Sequence, residues 1–318
     1  MHVLLDGDPG HDDMLAILLA ARHLDVVGIT TVSGNQSLDK VTRNALVVVE
    51  MAGLTHIPVA KGLARPLVND PVYAPEIHGV TGLDGVDLPE PVTPLAPQRA
   101  VDFIIEQSRL HDDLWLIPTG PLTNVAAALI TDPSLAGRLR GISLMGGSTT
   151  YGNSTPAAEF NIWVDPEAAD VVFRSGVPID MFGLNVTRQA SATRVEIERI
   201  RGAGGRVART VADLLEFYRS SLEHVFGLTG ASLHDPLAVA VLIRPELFEM
   251  QPMHVGIELH GTRTRGMTVC DYRYVGRGGA LAGQDAIGRA EAPNAEVAVA
   301  MDVPGFFDLL VDTLGQYA

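Results

Sequence analysis

Four carboxylates fall within eight residues near the start of the chain, in Asp6-Gly7-Asp8-Pro9-Gly10-His11-Asp12-Asp13. The apolar run Val3-Leu4-Leu5 precedes them and Met14-Leu15-Ala16-Ile17-Leu18-Leu19-Ala20 follows. Those flanks predict a buried strand and then a helix, so the acids sit at a strand-to-helix crossing. Crowded negative charges there repel one another, and a bound cation relieves the repulsion. Hard oxygen donors select Ca²⁺ or Mg²⁺. A helix dipole accounts for Asp12 and Asp13 in a first turn. It leaves Asp6 and Asp8, which precede the helix, to be explained by a metal or substrate site.

Other polar residues fall at equivalent places. In open α/β sheets, ligands bind beyond the carboxyl ends of the strands. Asn35 follows the β-branched run Val26 to Val32; Thr119 follows Leu114-Trp115-Leu116-Ile117. Asn153, Glu159 and Asn161 lie beyond the strand predicted over Gly141–Met145, and His234-Asp235 opens the apolar helix Leu237 to Ile243. Each has a plainer reading. Asn35 suits a turn, Thr119 and Asp235 suit helix caps, Glu159-Phe160-Asn161 a surface turn, and His78 and His234 structural or loop histidines. Their convergence on one end of a sheet carries more than any one of them.

The elements that position these residues alternate. Leu38 to Ala52 has helical spacing, Asp165-Pro166-Glu167 is a helix start with proline at its first position, and Pro178 to Leu184 is a buried strand. This rhythm predicts an α/β protein with a mostly parallel central sheet flanked by helices. Two stretches read as loops: Pro66 to Pro97, and a glycine-rich insertion around residues 271–293. Strand–helix units resume beyond each, so one domain over 1–318 is expected.

Composition narrows the partners. The 318 residues are 47% hydrophobic with a formal net charge of −15, which disfavours nucleic acid and anionic membrane surfaces. Cys270 is the only cysteine, so neither an intrachain disulfide nor a cysteine metal site is available. No apolar run reaches membrane-spanning length and no secretion signal is evident, so a cytoplasmic protein is expected.

Together these segments resemble the inosine–uridine-preferring nucleoside hydrolases. Asp6 to Asp13 is similar to that family's Asp-x-Asp-Pro-Gly-x-Asp-Asp fingerprint. Gly28-Ile29-Thr30-Thr31-Val32-Ser33-Gly34-Asn35, His78-Gly79 with Gly82-Leu83, and Pro118 to Asn124 match its next blocks. Met145-Gly146-Gly147, Ala158-Glu159-Phe160-Asn161 and His234-Asp235-Pro236 complete the order. The resemblance implies a single Rossmann-like domain, hydrolysis of the N-glycosidic bond of ribonucleosides, one Ca²⁺ per subunit and a homo-oligomer, dimer or tetramer. It implies Asp8, Asp13, the Thr119 carbonyl and Asp235 as ligands of the ion. It gives Asp12, Asn35, Met145, Asn153, Glu159 and Asn161 to the ribose, with Phe160 and His78 shaping the pocket and His78 nearer the base. The resemblance also implies a pyrimidine or mixed base preference, because purine-specific relatives stack the base between tryptophans and neither Trp115 nor Trp163 reads as part of such a sandwich.

Breaking the ribosyl–base bond develops positive charge on the sugar and negative charge on the base. Asp8 is the expected general base. His234, with an ordinary pKa of about 6.5, is the expected acid. Two other readings remain. Asp6-x-Asp8 after a strand is also similar to haloacid-dehalogenase-like phosphatases, but Pro9-Gly10 follow Asp8 and the only lysines are Lys40 and Lys61. A non-catalytic nucleoside or ribose binder on the same fold is the other.

Overall fold

The computed structural model describes residues 1–274 and 291–317. Most of the glycine-rich insertion expected around 271–293 lies outside the described residues.

Eight strands form one sheet: β1 (His2–Gly7), β2 (Asp25–Thr31), β3 (Val59–Lys61), β4 (Trp115–Pro118), β5 (Gly141–Met145), β6 (Ile179–Phe182), β7 (Phe248–Met253) and β8 (Ala295–Met301). Their spatial order is β3-β2-β1-β4-β5-β6-β8-β7. All neighbours pair in parallel except β8 with β7. The order therefore runs outward in one direction from β1 and in the other from β4. Loops leaving those two strands diverge and open a crevice between them.

The sheet is covered on both faces, as its near-continuous apolar strands require. Alternate side chains of a strand point to opposite faces. Val3 and Leu5 accordingly enter one core cluster and Leu4 the other; Ile117 and Leu116 divide in the same way. The first cluster is closed by α1 (His11–His23), α2 (Leu38–Met51), the long α6 (Gly205–Phe226) and α7 (Pro236–Ile243). The second is closed mainly by α3 (Thr123–Thr131) and α5 (Pro166–Phe173). Asp165 caps α5 as expected, accepting the Ala168 N–H at 3.1 Å.

Two plainer readings give way. Glu159-Phe160-Asn161 is not a surface turn: Glu159 caps a short helix, α4 (Phe160–Val164), and Glu159 and Asn161 are buried. Its carboxylate takes the N–H groups of Asn161 and Ile162, which is why the turn can sit inside the molecule. The Pro66–Pro97 loop contains one helical turn, Pro75–His78, which carries His78 inward to 5% exposure. Among the described residues, no helix is long and apolar enough to cross a membrane.

Candidate active site

Asp8 leaves the end of β1, and Asp12 and Asp13 lie in the first turn of α1. All three are at most 4% exposed, as is Asp235, the residue before α7. Asp235 occupies the N-cap position of α7, but its side chain makes no capping bond, so capping does not account for its carboxylate. Instead Asp12, Asp13 and Asp235 bring carboxylate oxygens within 4.8 Å of one another.

Each acid is held by different donors. Asp13 accepts the Gly10 N–H at 3.0 Å, the Thr119 hydroxyl at 2.7 Å and the Asn35 amide at 3.3 Å. Asp12 accepts the His234 N–H at 3.2 Å. Asp8 turns one oxygen to the Asn35 N–H at 2.6 Å; its other oxygen, Oδ1, is buried without a partner. Among the described residues no lysine or arginine forms an ion pair with these acids. Burial raises all four carboxyls, and mutual repulsion adds to it for Asp8, Asp12 and Asp235; Asp8 and Asp235 stand well above the ordinary range and Asp12 is pushed up to about 7. Asp6 points away, into a pocket with Thr30 at 2.6 Å and Asn124 at 2.7 Å, and burial pushes it up to about 7.

Four buried carboxylates with no counter-charge and an orphaned Oδ1 are a poor arrangement unless a cation completes it. The side-chain donors are all carboxylate oxygens, a set that suits a hard divalent ion. The Thr119 carbonyl accepts the Asn161 amide at 2.8 Å, which links the loop after β4 to α4.

The acids form the floor of a cleft of about 400 Å³. Asp12, Asn35, His78, Thr119, Met145, Asn153, Glu159, Phe160, Asn161, His234 and Asp235 all line it; Asp8 and Asp13 are hydrogen-bonded to its lining residues Asn35 and Thr119. The structure therefore gathers the residues singled out from the sequence except Asp6, which turns to Thr30 and Asn124. Asn161 bonds the Met145 carbonyl at 3.1 Å, and Glu159 accepts the Gly147 N–H at 2.8 Å. Burial pushes Glu159 up to about 7. Asn153 Oδ1 is buried and unpartnered.

His234 departs from expectation in its protonation. Burial, with help from Arg188, pushes its pKa down to about 3, so the imidazole is neutral. Its Nδ1 lies 2.7 Å from the Thr187 hydroxyl. Arg188 itself lines the cleft, with its guanidinium 4.9 Å from the Tyr151 ring centroid. Sequence reasoning passed over it. The signal was its place just beyond the strand read over Pro178 to Leu184, equivalent to Asn35 and Thr119. Tyr218, Leu222, Val225 and Phe226 bring the end of α6 to the same cleft, and Val72 and Tyr73 bring the long loop. Trp163 is present at the edge without a tryptophan facing it.

The comparisons agree with this site. The model of the family described as inosine-uridine preferring nucleoside hydrolase matches residues 3–308. The chain is 46% identical over 319 residues to the pyrimidine-specific ribonucleoside hydrolase RihA of Shewanella oneidensis, covering 99% of this chain and 96% of that protein. It is 44% identical to the protein of the same name in Escherichia coli, covering 99% of each. The solved purine-preferring ribonucleoside hydrolase from Gardnerella vaginalis superposes with a TM-score of 0.89 at 34% identity, over 99% of this chain and 98% of that one. An acid-floored cleft at the point where the strand order reverses, together with similarity running almost end to end, places this chain in the inosine–uridine-preferring nucleoside hydrolase family, and makes it a ribonucleoside hydrolase.

Proposed function

We propose that this enzyme is Ca²⁺-dependent and prefers pyrimidine ribonucleosides, releasing ribose and the free base. The relatives named as pyrimidine-specific support the base preference, as does a cleft without facing tryptophans. The observation that carries the metal reading is the meeting of Asp12, Asp13 and Asp235 from opposite ends of the chain, with Asp8 Oδ1 left unpartnered beside them.

In this reading Asp8, Asp13, Asp235 and the Thr119 carbonyl hold the ion, and Asp12 faces a ribose hydroxyl. When bound, the ion supplies a template for two sugar hydroxyls and a lowered pKa for water. Asp8 accepts the proton of the attacking water. Asn35, Asn153, Glu159 and Asn161 hold the polyhydroxylated sugar, with Met145 and Phe160 against its apolar face. His234 donates a hydrogen bond from Nε2 to the departing base, because its Nδ1 is free to accept from Thr187. A neutral imidazole acting as a donor is a known solution to this problem.

The test pairs two variants. Asp8→Asn should lose bound Ca²⁺ and turnover together, whereas Asp12→Asn should keep the metal and lose affinity for the nucleoside. Metal content is read by elemental analysis and turnover on uridine, cytidine and inosine. Undiminished cleavage by protein stripped of divalent ions would end the metal reading. Faster cleavage of inosine than of uridine and cytidine would end the pyrimidine one.

A further inference from the structure

Arg188 brings a positive charge to a cleft floored by acids. It follows the short helix Leu184–Thr187, just beyond the carboxyl end of β6. Three hydrogen bonds anchor that segment. The Leu184 N–H donates to the Gly147 carbonyl at 2.9 Å, and the Asn185 amide donates to the Ala298 carbonyl at 2.9 Å. Asn185 Oδ1 accepts the Thr149 N–H at 3.2 Å, two residues before Tyr151. The loops after β5 and β6 are thereby tied together. Arg188 lies over the Tyr151 ring, with 4.9 Å from its guanidinium carbon to the centroid. Guanidinium groups stack on aromatic faces in this way, which restricts where the donors of the fork can point.

That fork holds nothing of the protein. Arg188 is part-buried and lines the cleft, yet among the described residues no hydrogen bond or ion pair engages its guanidinium. Arg219 and Arg265, which also reach the interior, are each engaged by carboxylates. A guanidinium is charged at any working pH. Partly withdrawn from water without an acceptor, it carries a cost that an arriving acceptor relieves. The neighbouring residue shows which end of the substrate can supply one. Thr187 precedes Arg188 directly, and its hydroxyl lies 2.7 Å from His234 Nδ1. Arg188 thus stands on the His234 side of the cleft, where the base departs in the reading above.

We infer that Arg188 is a leaving-group residue, whose guanidinium donates to the acceptor atom beside the glycosidic nitrogen of the base: the C2 carbonyl oxygen of uracil and cytosine. The chemistry selects that atom. Arginine only donates, so it reads an acceptor. Uracil and cytosine differ at position 4, a carbonyl in one and an amino group in the other, but share O2. When the C1′–N1 bond breaks, its electron pair stays with the base and spreads from N1 onto O2. The water oxygen forms the new bond to C1′ and its proton passes to Asp8. Asp8 releases that proton to solvent, from which the free base takes one up. A donor at O2 is therefore held more tightly in the transition state than in the substrate. Purines place ring N3 where pyrimidines place O2, so the contact serves both classes of base. It rests on the reading of the cleft as a nucleoside site with the base at His234, and not on the pyrimidine preference.

Single-turnover rates at saturating substrate test this on Ca²⁺-loaded enzyme, wild type against Arg188→Met. The variant keeps a stem against Tyr151 and removes the fork. Three substrates are compared: uridine, the riboside of 2-pyrimidinone, and p-nitrophenyl riboside. The second keeps O2 and has no group at position 4; the third carries a leaving group that needs no help. The variant should lose about 10²-fold on uridine and about as much on the 2-pyrimidinone riboside, as when one donor to a developing oxyanion is removed. On p-nitrophenyl riboside the loss should stay below about threefold, because little is gained there by stabilising the leaving group. That retained activity also shows that the variant is folded and metal-loaded. A loss on uridine that is absent on the 2-pyrimidinone riboside would move the contact to O4. Equal losses on all three would make Arg188 a sugar-binding or structural residue. Either result overturns the inference, as does an unchanged rate on uridine. Wild-type enzyme faster on inosine than on uridine ends the pyrimidine preference alone; inosine, with N3 as the acceptor, then decides Arg188 by the same ratio.

Discussion

Thr119 donates its hydroxyl to Asp13 Oδ1 at 2.7 Å, joining the loop after β4 to the first turn of α1 across the point where the strand order reverses. The bond orients a carboxylate that, like the Thr119 carbonyl, holds the ion in our reading. Thr119→Val keeps the carbonyl and the shape and removes only the hydroxyl. Partners that orient metal ligands typically contribute about 10–100-fold in affinity. We expect a rise of that size in the dissociation constant for Ca²⁺, measured by calorimetric titration, with little change in the folded far-UV spectrum. An unchanged constant would detach Thr119 from the metal site.

Asp8 is fixed by the absence of neighbouring side chains as much as by hydrogen bonds. A Cβ on Gly34 would overlap its Oδ2, and one on Gly120 would stand 2.5 Å from its Oδ1. Neither glycine has a positive φ, so alanine would be tolerated by the backbone and would act by displacing the carboxylate. Gly34→Ala should lower kcat on uridine by about 10²-fold, the usual effect of moving a reacting group by an ångström. Cooperative thermal unfolding should persist. Near wild-type kcat would mean that Asp8 does not need its present position.

Much of this site was legible because its chemistry is local in sequence. Asp8 to Asp13 span a single strand-to-helix turn, and the flanking apolar runs fix where that turn lies. The strand read over Gly141–Met145 and the helix start at Asp165-Pro166 were equally explicit, since apolar runs and proline placement report on neighbouring residues. What was not legible depends on distance. The His11–His78 contact joins residues 67 apart. His234 reads as an ordinary histidine until burial and Arg188 are placed around it. The antiparallel edge formed by β7 and β8 has no local signature, because pairing direction is settled by the connection and not by either strand.

Away from the cleft, Asp180 on β6 stands in register with Glu296 on β8. Burial, and then repulsion from Glu296, push its carboxyl up to about 6. The folded state therefore holds a proton there that the unfolded chain has released between about pH 4 and 6. Stability from this group is present below pH 4, falls as the pH rises through that window, and is fully lost above it. Asp180→Asn should stabilise the protein by about 1–3 kcal/mol at pH 7, as judged from a shift of that size. At pH 4 the difference in urea unfolding between variant and wild type should vanish. A variant no more stable than wild type at pH 7 would show that Asp180 is ionised at little cost.

The departing base poses the last question, because His234 is neutral. Its Nδ1 lies 2.7 Å from the Thr187 hydroxyl, and burial with the charge of Arg188 pushes its pKa down to about 3. A cation bound to the adjacent Asp235 would push in the same direction. In our reading a hydrogen bond from Nε2 helps the base leave without the ring ever storing a second proton. His234→Ala should reduce kcat/KM on uridine by about 10²–10³-fold, within the range for a lost proton-transfer or donor group. On p-nitrophenyl riboside, whose leaving group departs unaided, the loss should stay below about tenfold. The pH profile separates a neutral donor from an imidazolium acid. An acid of ordinary pKa would be lost as the pH rises through about 6.5, so the wild-type to variant ratio on uridine would fall there. With a pKa near 3 the ratio should remain flat from pH 5 to 8. A ratio that declines around pH 6.5 would restore His234 as a charged acid, and equal losses on both substrates would remove it from the leaving-group side altogether.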